Sequence, residues 1–253
     1  MQIYIKTPED IQNIKQAISI WRKAKQAILD NVRVGISLLE LDAIANQAIV
    51  QANGVSAFKD YLGFKHHICI SVNECVIHGV PTNYTLKSGD KVTFDIGVKY
   101  NERYCDAAFT VIVDNANVEA QKISDVCLLA IYEAVKMIKP GVTNFDVART
   151  INKFVRQHGY YLLEDFTGHG CGVQIHEEPA MPNYVSYMQF REEKLEENMV
   201  LCLEPMIMTK SKAYYIDPLD QWSVKAKNKL LTAHWEHMVL VTKDGCEILT
   251  LDE

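Results

Sequence analysis

Acidic residues and histidines occur in this sequence in the same order in both halves of the chain. The segment Leu86–Asp95 aligns without gaps with Leu195–Glu204, and each copy ends in a carboxylate. A His-x-x-Pro element precedes each copy, and a second acid heading an apolar run follows it. Each half therefore offers one histidine and two acids, which are His78, Asp95 and Asp106 in the first half and His176, Glu204 and Glu236 in the second.

These residue types indicate a metal centre. If the two halves fold face to face, four carboxylates and two imidazoles meet at one place. Four negative charges cannot be buried together unless cations neutralise them, because an uncompensated buried charge is very costly. A pair of divalent metal ions supplies the neutralising charge. The pattern therefore predicts a site for two metal ions between the halves.

The elements that must position these residues alternate between helix and strand. Thr7, followed by proline and two acids, is a strong helix start. In each half a Gly turn is followed by capping-box spacing, Ser37 with Glu40 and Thr143 with Asp146. Further helices are expected at Leu38–Ala52, 118–138 and 144–158, and strands at Ile68–Val72, Val92–Val98, Phe109–Val113, Tyr160–Leu163, Met199–Leu203, Met238–Thr242 and Glu247–Leu251.

Length and composition fit one duplicated domain. The chain has 253 residues, of which 48% are hydrophobic and 23% charged, as is usual for a globular protein. We see no linker rich in proline, glycine or serine and no low-complexity tract. We therefore expect a single α/β (α+β) domain over 1–253, with pseudo-repeat halves at about 1–115 and 116–253.

Charge and cysteine usage exclude several classes of protein. The net charge of −6 provides no basic stripe, which argues against a nucleic-acid-binding protein. Seven scattered cysteines without a C-x-x-C pair favour reduced thiols and a cytoplasmic setting.

No apolar run approaches the roughly 18 residues of a membrane span, and the N-terminus has no cleavage site for export.

Strand alternation places Asp95 on a polar face. Val92, Phe94, Ile96 and Val98 share one face of their strand, and Asp95 points to the other. The intervening residues 99–102 are typical of a hairpin turn, so two antiparallel neighbours could bring Asp95 and Asp106 onto one side of the sheet.

The motifs resemble a known family. The segment Thr167–Pro179 contains Gly-His-Gly-x-Gly followed by His-Glu-x-Pro. Asn73–Pro81, Cys202–Met206 and Glu236-His237 match as well. Over nearly its whole length the chain resembles the methionine aminopeptidases in their short form, and more broadly the pita-bread metallopeptidases. The resemblance implies a pita-bread fold, in which two pseudo-symmetric halves form a curved antiparallel sheet covered by helices.

The resemblance also implies a ligand set. Asp106 and Glu236 fall where the family places the two carboxylates that bridge its metal ions. Asp95 falls where a ligand completes the shell of one ion, and His169 and Glu204 where ligands complete the other. A carboxylate has two oxygens and can bridge, whereas an imidazole offers one nitrogen to one ion. The cofactor expected is thus two divalent ions, with Co, Mn, Fe or Zn all possible in a site of this chemistry.

The resemblance implies the reaction as well. Such an enzyme removes the N-terminal methionine from nascent proteins and peptides, prefers a small second residue, and hydrolyses the bond with a hydroxide between the metals. Glu204 would transfer the proton, His176 would stabilise the oxyanion, and His78 would position the scissile nitrogen. Glu177 is an alternative base. The methionine slot would be lined by Phe58, Tyr61, Phe64, Cys69, Ile175 and Trp222.

Two other functions stay open on the sequence alone. One is a related pita-bread peptidase that cleaves before proline, and the other is a metal-free pita-bread module that binds polypeptides. The chain also departs from the family pattern at Cys105 and Ala107, on either side of Asp106, while Tyr214 and Tyr215 have no explanation. We expect a monomer that acts on nascent chains, with possible contacts to the ribosome and none to nucleic acid or membrane.

Overall fold

Residues 2–251 are described by a computed structural model, and within this range the chain forms four α-helices and fifteen strands. All four predicted helices are present, and α2 to α4 end slightly earlier than expected. The helices are Pro8–Leu29 (α1), Leu38–Gln51 (α2), Val118–Val135 (α3) and Asn144–Gln157 (α4), with single 3₁₀ turns at Tyr61–Gly63, Val113–Asn115 and Lys227–Lys229.

The strands are Val55–Ser56 (β1), Cys69–Val72 (β2), Cys75–Ile77 (β3), Lys91–Tyr100 (β4), Arg103–Ile112 (β5), Tyr161–Leu162 (β6), Gly168–Gly170 (β7), Glu177–Met181 (β8), Val200–Leu203 (β9), Met206–Met208 (β10), Tyr214–Ile216 (β11), Val224–Ala226 (β12), Thr232–His234 (β13), His237–Val241 (β14) and Cys246–Ile248 (β15). They form four antiparallel sheets. The strand orders are β1-β4-β2 with β5 also paired to β4, β15-β14-β9-β7-β8, β13-β10-β6 and β11-β12-β3.

The long hairpin β4–β5 positions the first two acids. Its turn is the pair Asn101 and Glu102, both with positive φ (48° and 57°), as in the two-residue turns that suit twisted hairpins. Asp106 pairs with Gly97, and Asp95 pairs with Ala108. Both carboxylates therefore project from one face, as predicted. The strand expected to begin at Phe109 is longer than predicted, because the ladder continues back to Arg103.

The second half positions the other two acids in a similar way. Strand β9 pairs antiparallel with β14, and Leu203 lies opposite His237. Glu204 directly follows β9 and Glu236 directly precedes β14, so the two acids leave adjacent strands at the same end of the pair. The two halves of the chain meet where Glu236, just before β14, lies beside Ala108 on β5. The backbones of these two residues exchange two hydrogen bonds, of 3.0 and 3.3 Å.

The duplication visible in the sequence is also present in the backbone. Both predicted capping boxes form, with Ser37 and Thr143 as N-caps. The preceding turns contain Gly35 and Gly141, with φ of 88° and 90°. Each of these glycines donates its N–H to the leucine carbonyl at the start of the repeated segment, at 2.8 Å in both halves. Equivalent residues thus make equivalent contacts.

The helices cover one side of the sheets and leave the other side for the site. Helices α1 and α2 pack with β4 and β5 in one apolar cluster that includes the fully buried Trp21 and Phe94. Helices α3 and α4 pack with β9 and β14 in a second cluster. Within residues 2–251, no helix combines the length and the apolar character needed to cross a bilayer.

Candidate metal centre and adjoining pocket

The four predicted acids converge on one place. Asp106, Glu204 and Glu236 are 3%, 9% and 2% exposed, although each carries a carboxylate. One ligand atom from each of Asp95, Asp106 and Glu236 lies within 4.8 Å of the others. Glu204 and Glu236 share a second group of this kind. The structure therefore brings together all four acids that the repeat singled out.

His169 joins this group in a fixed orientation. It lies on the short strand β7, and its Nδ1 is 2.9 Å from the Gly170 carbonyl oxygen, an acceptor. Nδ1 must therefore carry the proton, which leaves the lone pair on Nε2. Nε2 lies 3.4 Å from Glu204 Oε1 and 4.0 Å from Glu236 Oε1. The backbone thus fixes the tautomer that can bind a metal through Nε2.

The electrostatics of the group favour uncharged side chains. Burial, followed by the repulsion of Glu236 and Asp95, raises the pKa of Asp106 well above its usual value. Burial likewise raises the pKa of Glu204 and Glu236, with repulsion from neighbouring carboxylates adding to it. The pKa of Asp95 rises to about 6 because of burial. Burial and His176 lower the pKa of His169 to about 3.

The residues fit the binding of divalent cations. Asp95 Oδ1, Asp106 Oδ1 and Glu236 Oε1 are buried and have no hydrogen-bond partner among the described residues. Buried polar oxygens are normally satisfied, so each one points to an absent partner. Carboxylate oxygens with one neutral imidazole are suitable ligands for Mn, Fe, Co or Zn. Several carboxylates together match the charge of two ions better than that of one.

A cavity of about 300 Å³ opens beside the carboxylates. Its lining includes five of the six residues expected for the methionine slot, together with both predicted non-ligand histidines; these are Phe58, Tyr61, Phe64, Cys69, Trp222, His78 and His176. The sixth, Ile175, is 4% exposed and packs in the same apolar cluster without being part of this lining. The pocket is thus apolar on one side and acidic on the other.

Gly97 makes room for one wall of this pocket. A Cβ atom built on Gly97 would lie 2.6 Å from Phe58 Cε1 and 3.0 Å from the Ala57 side chain. No real Cβ contact is that close to an aromatic carbon, so a larger residue would displace the Phe58 ring. Gly97 lies opposite Asp106 in the β4–β5 ladder, so the same hairpin shapes the slot and positions a carboxylate.

His176 and His78 occupy different sides of the pocket. The ring centroids of His176 and His169 are 4.3 Å apart. The Nδ1 atom of His176 is 2.9 Å from the Tyr61 hydroxyl. His78 has a positive φ of 56°, and its ring centroid lies 6.4 Å from that of Trp222. A positive φ is costly for histidine and is often found at functional sites. Burial lowers the pKa of both imidazoles, that of His78 to about 4.

Glu177, the alternative base, is already engaged in structural contacts. Its Oε1 accepts hydrogen bonds from the backbone N–H groups of Val173 and Gln174, at 2.6 and 2.8 Å. Its Oε2 forms a buried ion pair with Lys6. Both oxygens therefore support the loop that carries His176. Glu177 is absent from the lining of the cavity, so this position argues against a role as base.

One buried histidine at the site, His234, was not predicted from the sequence. His234 is 2% exposed, and its Nε2 lies 3.4 Å from Glu204 Oε2. Alternation could not have placed it beside Glu236, because residues 235 and 236 lie outside the strands, and its position depends on its pairing with Met206. Phe166 and Met206 also line the cavity and were not expected. They lie next to predicted residues in sequence but carry no group that indicates chemistry.

The departures from the family pattern lie away from the carboxylates. Cys105 and Ala107 are fully buried in the cluster beneath the sheet, on the face of β5 opposite Asp106. Tyr214 donates a hydrogen bond of 2.9 Å to Asp165, which lines the cavity. The loop between β11 and β12 carries Trp222 to the pocket, whereas Tyr215 is exposed and nothing in the structure explains it.

Comparisons with known proteins agree with this geometry. The family model described as Metallopeptidase family M24 matches residues 12–243. A methionine aminopeptidase from Mycoplasmoides gallisepticum is 42% identical over 252 residues, which is 98% of this chain and all of that protein. The solved methionine aminopeptidase of Rickettsia prowazekii has a TM-score of 0.93 at 30% identity, covering 99% of this chain and 100% of that one.

A prolidase is a more distant structural match. The prolidase of Pyrococcus furiosus has a TM-score of 0.78 at 26% identity and covers 98% of this chain but 66% of the prolidase chain. These matches, with the mixed helices and antiparallel sheets, confirm the predicted pita-bread fold.

The raised pKa values predict how stability depends on pH when metal is removed. Each of these carboxyls holds its proton more tightly in the folded state than in the unfolded state, so it contributes stability that is lost as pH rises through its raised pKa. The buried histidines, whose pKa values are lowered, act in the opposite direction below about pH 6.5, so the chelated protein should lose stability as pH rises above that value. Divalent ions should raise the melting temperature more at the higher pH, because they compete with protons. Thermal unfolding with chelator and with added Mn²⁺ measures both effects.

Asp106→Asn is the matched control for this prediction, since it removes one of the crowded charges. The fall in the melting temperature of the chelated protein should be shallower in the variant. A chelated wild-type protein that becomes steadily more stable over the same range would contradict the burial of these charges in one cluster.

Proposed function

We propose that this chain, which belongs to metallopeptidase family M24, removes the N-terminal methionine from new proteins and peptides by metal-dependent hydrolysis. The observation that carries this proposal is the contact between two features. A cluster of four carboxylates and His169 lies against the apolar wall of a cavity of about 300 Å³. Full-length similarity to methionine aminopeptidases supports the same activity.

The proposed ligands divide between two ions. Asp106 and Glu236 would be shared between the two ions, Asp95 would be a further ligand of one ion, and His169 and Glu204 would be further ligands of the other. When bound, the ions lower the pKa of water to near neutrality and polarise the substrate carbonyl. The partnerless oxygens of Asp95, Asp106 and Glu236 support this assignment. We propose Co, Mn, Fe or Zn, because oxygen and imidazole donors accept all four.

Tyr61 and His176 form a positioning pair for the reacting carbonyl. If the Tyr61 hydroxyl donates to His176 Nδ1, the proton of the neutral ring lies on Nε2. Nε2 can then donate a hydrogen bond to the oxyanion that develops in the transition state. The neutral form suits this role, since burial lowers the pKa of His176.

Glu204 and His78 handle the proton and the leaving group. Burial raises the pKa of Glu204, so its carboxylate can accept a proton near neutral pH and pass it on. His78 faces the same cavity from the far side, next to Trp222, and would hold the scissile nitrogen. Phe58, Phe64 and Cys69 would surround the methionine side chain and exclude water.

The two alternative functions are less well supported. A peptidase that cleaves before proline resembles the prolidase match, but this chain spans only 66% of that prolidase's length, whereas it spans the methionine aminopeptidases fully. A metal-free binding module would have no reason to keep five metal-binding side chains in one buried group. We further propose a cytoplasmic monomer that acts on nascent chains at the ribosome, consistent with seven free cysteines.

A peptide panel tests the activity directly. The protein loaded with Mn²⁺ or Co²⁺ should release methionine from Met-Ala-Ser and Met-Gly, and chelation should abolish release. Met-Lys should be cleaved much more slowly, because a bulky second residue crowds the metal side of the pocket. Xaa-Pro peptides should be left intact. Preferred cleavage of the Xaa-Pro peptides, or activity that survives chelation, would refute the proposal.

Two histidine variants separate chemistry from metal binding. His176→Ala should lower kcat by about 10²–10³-fold with little change in KM, because the lost hydrogen bond exists mainly in the transition state. Its metal content should stay intact. His169→Ala should instead bind metal more weakly and regain activity in part at high metal concentration. Rescue of His176→Ala by metal, without rescue of His169→Ala, would reverse the two assignments.

A further inference from the structure

His234 is a buried histidine whose ring has no assigned role. It ends strand β13 and is 2% exposed. Neither ring nitrogen has a hydrogen-bond partner among the described residues. Most buried polar groups are satisfied, and leaving one unpaired costs free energy. A polar ring kept in such a place without a partner indicates that something else binds it.

The backbone of His234 is held firmly, so the direction of its side chain is set by the fold. His234 pairs with Met206 in the β10–β13 ladder. Its carbonyl oxygen also accepts a hydrogen bond of 2.7 Å from the Thr110 hydroxyl, which lies on β5. The ring points at the carboxylates, since one ligand atom of His234 lies within 4.8 Å of ligand atoms of Glu204 and Glu236.

The two imidazoles His169 and His234 flank Glu204 in the same way. His169 Nε2 lies 3.4 Å from Glu204 Oε1, and His234 Nε2 lies 3.4 Å from Glu204 Oε2. Glu204, His234 and Glu236 each place one ligand atom within 4.8 Å of the others. That is the arrangement of one nitrogen and two carboxylate oxygens that a divalent ion accepts.

We infer that His234 is a sixth metal-binding side chain, which gives the ion on the Glu204 side two imidazoles. This inference rests on the metal centre of the proposed function and adds a ligand that the family pattern did not indicate. A second imidazole changes the character of the site. Imidazole suits Zn²⁺, Co²⁺ and Fe²⁺, whereas carboxylate and water suit Mn²⁺ and Mg²⁺. His234 should therefore shift the preference of one site away from Mn²⁺ and towards Zn²⁺.

Metal titration of His234→Gln tests this inference. Glutamine keeps a donor that could still hydrogen-bond to Glu204, but it removes the imidazole nitrogen. Calorimetry on chelated protein should show Zn²⁺ affinity at one of the two sites reduced by at least about 10-fold, since even losing a supporting partner costs that much. Mn²⁺ affinity should change less. His78→Gln, which changes another histidine of the same pocket, is the matched control and should leave the affinities of both ions unchanged.

A second measurement needs no substitution. In the Co²⁺-loaded protein, each bound imidazole contributes one exchangeable N–H proton that the paramagnetic ion shifts far outside the normal range of the proton NMR spectrum. Two such resonances, from His169 and His234, should appear in the wild-type protein. The Gln variant should lose one of them.

The outcomes distinguish this inference from the proposed function. Two bound ions with a single shifted resonance, or unchanged Zn²⁺ affinity in His234→Gln, would overturn the role of His234 and leave the proposed enzyme intact. A wild-type protein that binds no divalent ion would overturn both.

Discussion

The burial of four carboxylates in one small volume is the constraint on which this molecule depends. Like charges in a region without water repel strongly, and each one also loses its hydration. The pKa values of Asp106, Glu204 and Glu236 rise for both reasons. Such a cluster is unfavourable without positive charge beside it. The fold must therefore keep these carboxylates close together with space for cations between them. Binding of those cations then contributes to stability as well as to chemistry.

Rigid strands meet this constraint. The β4–β5 ladder fixes Asp95 and Asp106 on one face, while β9 and β14 bring Glu204 and Glu236 to the same end of their pair. The buried pair formed by Lys6 and Glu177 supports the loop before β8, which carries His176. The two halves of the chain are arranged symmetrically about the site because they are a duplication, and each half places two acids at equivalent positions. The remaining space beside the carboxylates is the apolar pocket, where Gly97 allows Phe58 to approach the sheet.

Much of this arrangement could be predicted from the sequence, because alternation and repetition are local signals. The helix caps at Ser37 and Thr143 and the hairpin after Tyr100 follow from short-range spacing, and the meeting of the acids follows from the repeat between the two halves. Three-dimensional packing decides the rest. His234 depends on the β10–β13 ladder, and the placement of Ile175 behind the slot depends on which neighbours cover it. Such contacts join residues far apart in the chain, so no window of sequence contains them.

Anomalous diffraction from crystals loaded with Mn²⁺ tests the central claim most directly. Neutralisation of the buried carboxylates by two ions predicts two strong peaks about 3.5–4 Å apart, the usual separation in paired metal sites. Both peaks should contact the carboxylates of Asp106 and Glu236, and one should also contact His169. A single peak, or peaks that lie away from these carboxylates, would contradict the account.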